Sequence, residues 1–68
     1  MFKDNLVTLR KLKNLSQEAL AEQLGITRQT LSKWETGESL PDIERCRQIA
    51  QVFDITLDAL VSDDSDRR

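Results

Sequence analysis

The chain has 68 residues, 38% apolar and 32% charged, a globular balance in a length that admits one domain and one core burying about 60% of the unfolded surface. Two Gly, one Pro and a single Cys leave little turn chemistry for a β-meander and no internal disulfide, so a helical protein of the reducing cytoplasm is expected. Net charge is −2 and His is absent; no apolar run is long enough for a leader or a membrane span, and neither a paired nucleophile and base nor a glycine-rich phosphate loop is present, so an enzyme is not expected.

Phe2, Leu6, Leu9 and Leu12 recur at spacings of three and four, which predicts an amphipathic helix over 2–13 with Arg10, Lys11 and Lys13 at the end where cations suit the helix dipole. Ser16 is an N-cap ahead of Gln17, Glu18 and Ala19, and the second helix runs over 17–24 until Gly25 stops it. Thr27 opens a third over 28–36, with Leu31 and Trp34 on one face and Gly37 at its end. Ser39 and Asp42 bracket Leu40 and Pro41 ahead of a fourth helix, whose stripe of Ile43, Cys46, Ile49, Ala50 and Phe53 only an α-helix would align. Cys46 on that stripe is read as a small core residue. Thr56 caps a last short helix holding Leu57, Leu60 and Val61. The expected fold is therefore all-α, a five-helix domain over 1–62 followed by a polar C-terminal tail at 63–68. Asp63, Asp64 and Asp66 in that tail lack the loop glycine and closing Glu of a calcium site, so no metal and no cofactor are expected.

Residues 17–36 hold two short helices joined through Gly25, a turn too tight for an antiparallel hairpin and suited to a crossing of about 90–120°. Helices that cross so closely need one small residue, which Ala21 supplies, and a turn residue comfortable at positive φ, which Gly25 supplies. Leu20, Leu24, Ile26, Leu31 and Trp34 fill the space beneath. The pattern Ser16-Gln17-Glu18-x-Leu20-Ala21-x-x-Leu24-Gly25-Ile26, then Leu31-Ser32-x-Trp34-Glu35-x-Gly37, resembles the Cro and phage-repressor family of helix-turn-helix proteins, also called the xenobiotic-response-element family. Leu6-x-x-Leu9-Arg10 ahead of it, and Pro41-Asp42 with the fourth-helix stripe behind it, extend the resemblance over almost the whole chain. The resemblance implies a compact lambda-repressor-like DNA-binding domain with its helix-turn-helix at the second and third helices, and a sequence-specific transcriptional regulator, a repressor at an operator.

With Leu31 and Trp34 turned inward, Arg28, Gln29, Ser32 and Lys33 are left outward. On an ordinary helix such residues are a solvated face. In this motif the resemblance implies that they read base edges in the major groove of double-stranded DNA, the second helix lying across the backbone, and Arg and Gln are the types that pair bidentately with guanine and adenine. It also implies that Gln17 reaches a phosphate and braces a side chain of the third helix. Thr27, Thr30 and Thr36 are of the type that caps helices and fills turns; Thr27 is read as both a cap and a phosphate neighbour, and Thr30 and Thr36 as phosphate or positioning residues. Glu35 lies near a helix C-terminus, where the dipole disfavours an anion and invites a cationic partner. In the family the match for that partner is Arg10, in a structural ion pair.

Residues 1–40 carry six basic and five acidic groups, and residues 41–68 four basic and seven acidic, so the cations lean toward the motif. The loop over 37–42 is acidic, with Glu38 and Asp42 where many relatives place Lys or Arg against phosphates. That departure keeps open a second reading, an antitoxin-like module that holds a protein partner and for which DNA binding is secondary. One domain this small reads only a few base pairs, so a homodimer is expected on an inverted repeat with half-sites about 34 Å apart, one turn of B-DNA. Ile55, Leu57 and Val61 cannot all turn inward on so short a helix and are the candidate dimer strip, flanked by Asp54 and Asp58.

Overall fold

The structure, a computed structural model, describes residues 1–62; the tail assigned to 63–68, with its three aspartates, lies outside the described residues. Five helices follow one another, α1 (Phe2–Leu12), α2 (Gln17–Leu24), α3 (Arg28–Thr36), α4 (Ile43–Phe53) and α5 (Leu57–Val61). The first ends one residue short of the expected 2–13, with Lys13 at its C-cap.

Each of the last four helices begins on a side-chain cap. Ser16, Thr27, Asp42 and Thr56 hold extended backbone and accept from the amides of Ala19, Thr30, Arg45 and Ala59, satisfying one of the donors that a helix start leaves without an internal partner. The ends of α1 to α4 share a second device. Asn14, Gly25, Gly37 and Asp54 have φ of 57°, 71°, 84° and 57°, and the residue after each returns its amide to a carbonyl five positions back, as Ile26 does to Ala21 at 3.0 Å and Ile55 does to Ala50 at 3.0 Å. Such turns usually seat an apolar residue against the helix they close. Leu15, Ile26 and Ile55 do so, each packed on the core. After α3 that place is taken by Glu38, which is exposed.

The core gathers Leu6 of α1, Leu20 and Leu24 of α2, Leu31 of α3, Ile49 of α4 and Leu60 of α5, all at 0% exposure, with Ala21, Trp34, Cys46, Ala50 and Phe53 around them. Two apolar residues expected on this surface are not in it. Leu12 is 74% and Ile43 59% exposed. Leu12 shares the direction of Asn5 on α1 but ends the helix, where no other element covers its face, and Ile43, opening α4, lies at the edge of its own stripe. Two long-range ties complete the packing. Asn5 donates its amide to the carbonyls of Leu60 and Ser62 at 2.7 and 2.8 Å, joining α1 to α5, and Arg45 and Gln48 of α4 both donate to the carbonyl of Leu24 that ends α2.

Candidate nucleic-acid interface

The pair α2 and α3 meets through the turn at Gly25, with Ala21 buried at 3% exposure between them. A Cβ on Gly25 would meet nothing within 4 Å, so this glycine is required for its backbone conformation and not for space. Leu31 and Trp34 anchor α3 from below. Arg28, Gln29 and Lys33 are consequently exposed and Ser32 half-buried, and the four line one shallow, open depression together with Glu38. A second depression, lined by Arg10, Ser16, Gln17, Glu18 and Arg28, opens at the N-terminus of α2. Arg28 belongs to both.

Behind Arg28 stands a line of hydrogen bonds. Its Nη1 donates to Oε1 of Gln17 at 3.1 Å, and Nε2 of Gln17 donates to Glu35 at 2.9 Å. Glu35 receives Arg10 through Nε at 2.7 Å and through Nη2 at 3.2 Å, a bidentate pair whose side chains are 13% and 6% exposed. The remaining Nη1 of Arg10 donates to the carbonyl of Leu15 at 2.8 Å. The cation thus compensates the anion that the C-terminal turn of α3 would otherwise hold at the wrong end of its dipole.

The three threonines are placed differently from one another. Thr27 is exposed, caps α3 and shares a hydroxyl contact of 3.0 Å with half-buried Thr30. The hydroxyl of Thr36 donates to the carbonyl of Lys33 at 3.2 Å, within its own helix. Of the candidate dimer residues, Ile55 and Leu57 are half-buried against the core, and Val61, at 47% exposure, is the largely open one. The apolar side chains that stand furthest into solvent besides Met1 are elsewhere: Leu12, and Leu40 with Ile43 on either side of Pro41. Glu38, singled out in the sequence as part of an acidic loop, lies beside the reading face itself, where no apolar anchor follows Gly37. No helix among the described residues is long and apolar enough to cross a membrane, and no group of three or more potential ligands there could hold a metal ion.

A capped pair of short helices, the second with an exposed face of Arg, Gln, Ser and Lys raised on a buried Leu and Trp, defines a helix-turn-helix DNA-binding domain. The chain belongs to the helix-turn-helix family of Cro and repressor type, whose model matches residues 6–60. It is 46% identical over 61 residues to the HTH-type transcriptional activator BcrR of Enterococcus faecalis, covering 90% of this chain and 30% of that protein. It is 37% identical to the uncharacterized HTH-type transcriptional regulator YqaE of Bacillus subtilis, over 100% of this chain and 59% of the relative. With the cryptic phage CTXphi transcriptional repressor RstR of Vibrio cholerae it shares 36% identity over 85% of this chain and 52% of the other. The crystal structure of a transcriptional regulator from Listeria innocua superposes with a TM-score of 0.85 at 34% identity, over 90% of this chain and 57% of that one. The chain therefore spans between 30% and 59% of the length of these proteins.

Proposed function

We propose that the chain reads a specific sequence in double-stranded DNA with α3 in the major groove and regulates transcription from that site in the cytoplasm, as a homodimer that represses from an inverted-repeat operator. The observation that carries this reading is the placement of Arg28, held by Gln17 where the open face of α3 meets the N-terminus of α2. Arg28 and Gln29 lie in the first turn of α3 and are assigned to base edges, Ser32 and Lys33 to bases or phosphates one turn further on. Gln17 and Thr27 sit at helix N-termini, where main-chain amides favour phosphate, with Thr30 and Thr36 holding the local backbone.

Val61 and the open sides of Ile55 and Leu57 are assigned to the twofold contact. The domain is 35 Å along its longest axis, the scale of the roughly 34 Å between successive major-groove faces that two copies would have to span. Asp54 and Asp58 beside the strip repel their copies, which makes the interface modest and dependent on DNA. Repression is supported by the name of the Vibrio relative, while the Enterococcus relative is named an activator. Selection from random duplexes with the purified protein should enrich an inverted repeat, and sedimentation should give two proteins per selected duplex. Enrichment of nothing defeats the reading of sequence, one protein per saturated duplex defeats the dimer, and a reporter whose expression rises with the protein defeats repression.

The antitoxin-like reading is favoured by one observation, the exposed Leu40 and Ile43 around Pro41 beside an acidic loop. A protein of that kind would bind selected and random duplexes alike.

A further inference from the structure

The hydrogen-bond line from Arg10 to Arg28 has a direction, and the direction is fixed at its buried end. Arg10 occupies both oxygens of Glu35. A carboxylate accepts and does not donate, so the part of the Gln17 amide that faces it has to be the NH2 group, which lies 2.9 Å from Glu35 Oε1. The amide oxygen of Gln17 is thereby turned toward Arg28 and accepts from Nη1 at 3.1 Å. Reversing the amide would set oxygen against carboxylate and NH2 against guanidinium, unfavourable at both ends. A glutamine on a bare surface has no such preference.

We propose that Glu35 is a positioning residue for Arg28, acting through Gln17: the ion pair between α1 and α3 sets the polarity of the Gln17 amide, and that polarity holds the guanidinium ready for a base. The inference rests on the reading above, that α3 enters the major groove. It also names the base. With Nη1 engaged by Gln17, the Nε–Nη2 edge of Arg28 remains as a parallel pair of donors, which matches O6 and N7 of guanine. Arg28 is exposed, and a long exposed side chain that is already ordered loses less freedom on binding than one that is not.

The test measures binding of the wild type and variants to the selected duplex and to a panel with each base pair of the half-site replaced. Arg28→Ala should reduce the preference at one guanine by about 5- to 150-fold and leave the other positions alone. Glu35→Gln lets either amide end face Gln17, and should lower the preference at that same guanine by about 2- to 12-fold, the worth of one hydrogen bond. It should add nothing in the Arg28→Ala background. Gln17→Met breaks the line while leaving both bonds from Arg10 to Glu35 in place, and should act at the same guanine, so the question survives if Glu35→Gln folds poorly. Asn5→Ala is the control for lost stability alone, since Asn5 ties α1 to α5 outside the line; it should lower the melting temperature and keep the base profile. Full preference for that guanine in a folded Glu35→Gln, or in Gln17→Met, overturns the proposal while leaving the reading of DNA intact. A wild type with no base preference overturns both.

Discussion

The guanidinium of Arg45 and the main-chain carbonyl of Leu24 meet at 2.6 Å, so a side chain of α4 closes the end of α2 directly before the helix-turn-helix bend. Gln48 donates to the same carbonyl at 3.2 Å and accepts from Arg45 at 2.7 Å. The three groups share their bonds, and removing one leaves the others partly satisfied. Arg45→Met should cost about 1–2 kcal/mol and Gln48→Leu less, and the double variant should cost more than the sum, because only then does the carbonyl of Leu24 lose both donors. Urea unfolding followed by the fluorescence of Trp34 gives the three values.

Arg10 and Glu35 form an ion pair with little access to water. Arg10→Met strands a carboxylate that keeps only Gln17, and should cost about 3 kcal/mol, a large part of the roughly 3–10 kcal/mol typical of a chain this long. Replacing both, as Arg10→Met with Glu35→Met, should be milder than Arg10→Met alone, since no buried charge remains. Thermal unfolding of the two variants would show the order; a double variant less stable than the single one contradicts it.

Cys46 is buried in the core. Burial, with Asp42 nearby, pushes its thiol above the ordinary value of 9.0. The folded state then holds a proton that the unfolded state releases first. Stability from this group is complete below the unfolded thiol range and is lost as pH rises through the folded value. Denaturation midpoints should therefore fall above about pH 9 in the wild type and fall less in Cys46→Ala, whose overall stability is lower by about 1 kcal/mol from the lost packing.

The helices were legible because their starts and stops are written in short-range chemistry. Ser16, Thr27, Asp42 and Thr56 cap as their types suggest, and Gly25 and Gly37 end α2 and α3. The apolar spacing was legible to within one residue at each edge, and its overreach at Leu12 and Ile43 has a plain cause: periodicity places a residue on a helix but says nothing of whether another element covers that part of the face. Asn5, Arg45 and Gln48 were not legible. They bond main-chain carbonyls 21 to 57 positions away, and a carbonyl acceptor has no signature in the residue that carries it. The outward set on α3 followed from the inward turn of Leu31 and Trp34, whereas the bond from Gln17 to Glu35 joins two helices and needed coordinates.

Gly25 and Gly37 separate two costs. Both sit at positive φ, but a Cβ at Gly25 meets nothing within 4 Å, while at Gly37 it comes 3.0 Å from Lys3 Cδ. Gly25→Ala should cost about 1 kcal/mol from backbone strain alone. Gly37→Ala should cost the same strain and a little more, limited because the lysine methylenes can swing aside. If Lys3→Ala removes the difference between the two alanine variants in chemical denaturation, the contact is its source.

Glu38 shares the depression of Arg28, Gln29, Ser32 and Lys33. On the proposed reading it repels phosphates from any sequence. Glu38→Gln should strengthen binding to random and selected duplexes by similar factors, and Glu38→Lys should do so further and steepen the dependence on salt by about one counterion. Titrations at three salt concentrations measure both effects; no gain on either duplex would place Glu38 off the interface.

Asn5 fastens positions 55 and 57 residues away, whereas Gln17 reaches Arg28 across 11. Closing the longer loop costs about 1.4 kcal/mol more in chain entropy, so the seam between α1 and α5 is the late event in assembly and the early one in opening. The two helices of the turn are knit by nearer neighbours, so they are expected to hold their shape longest. A fluctuation that releases α5 takes the face carrying Val61 with it and leaves Arg28 where it was.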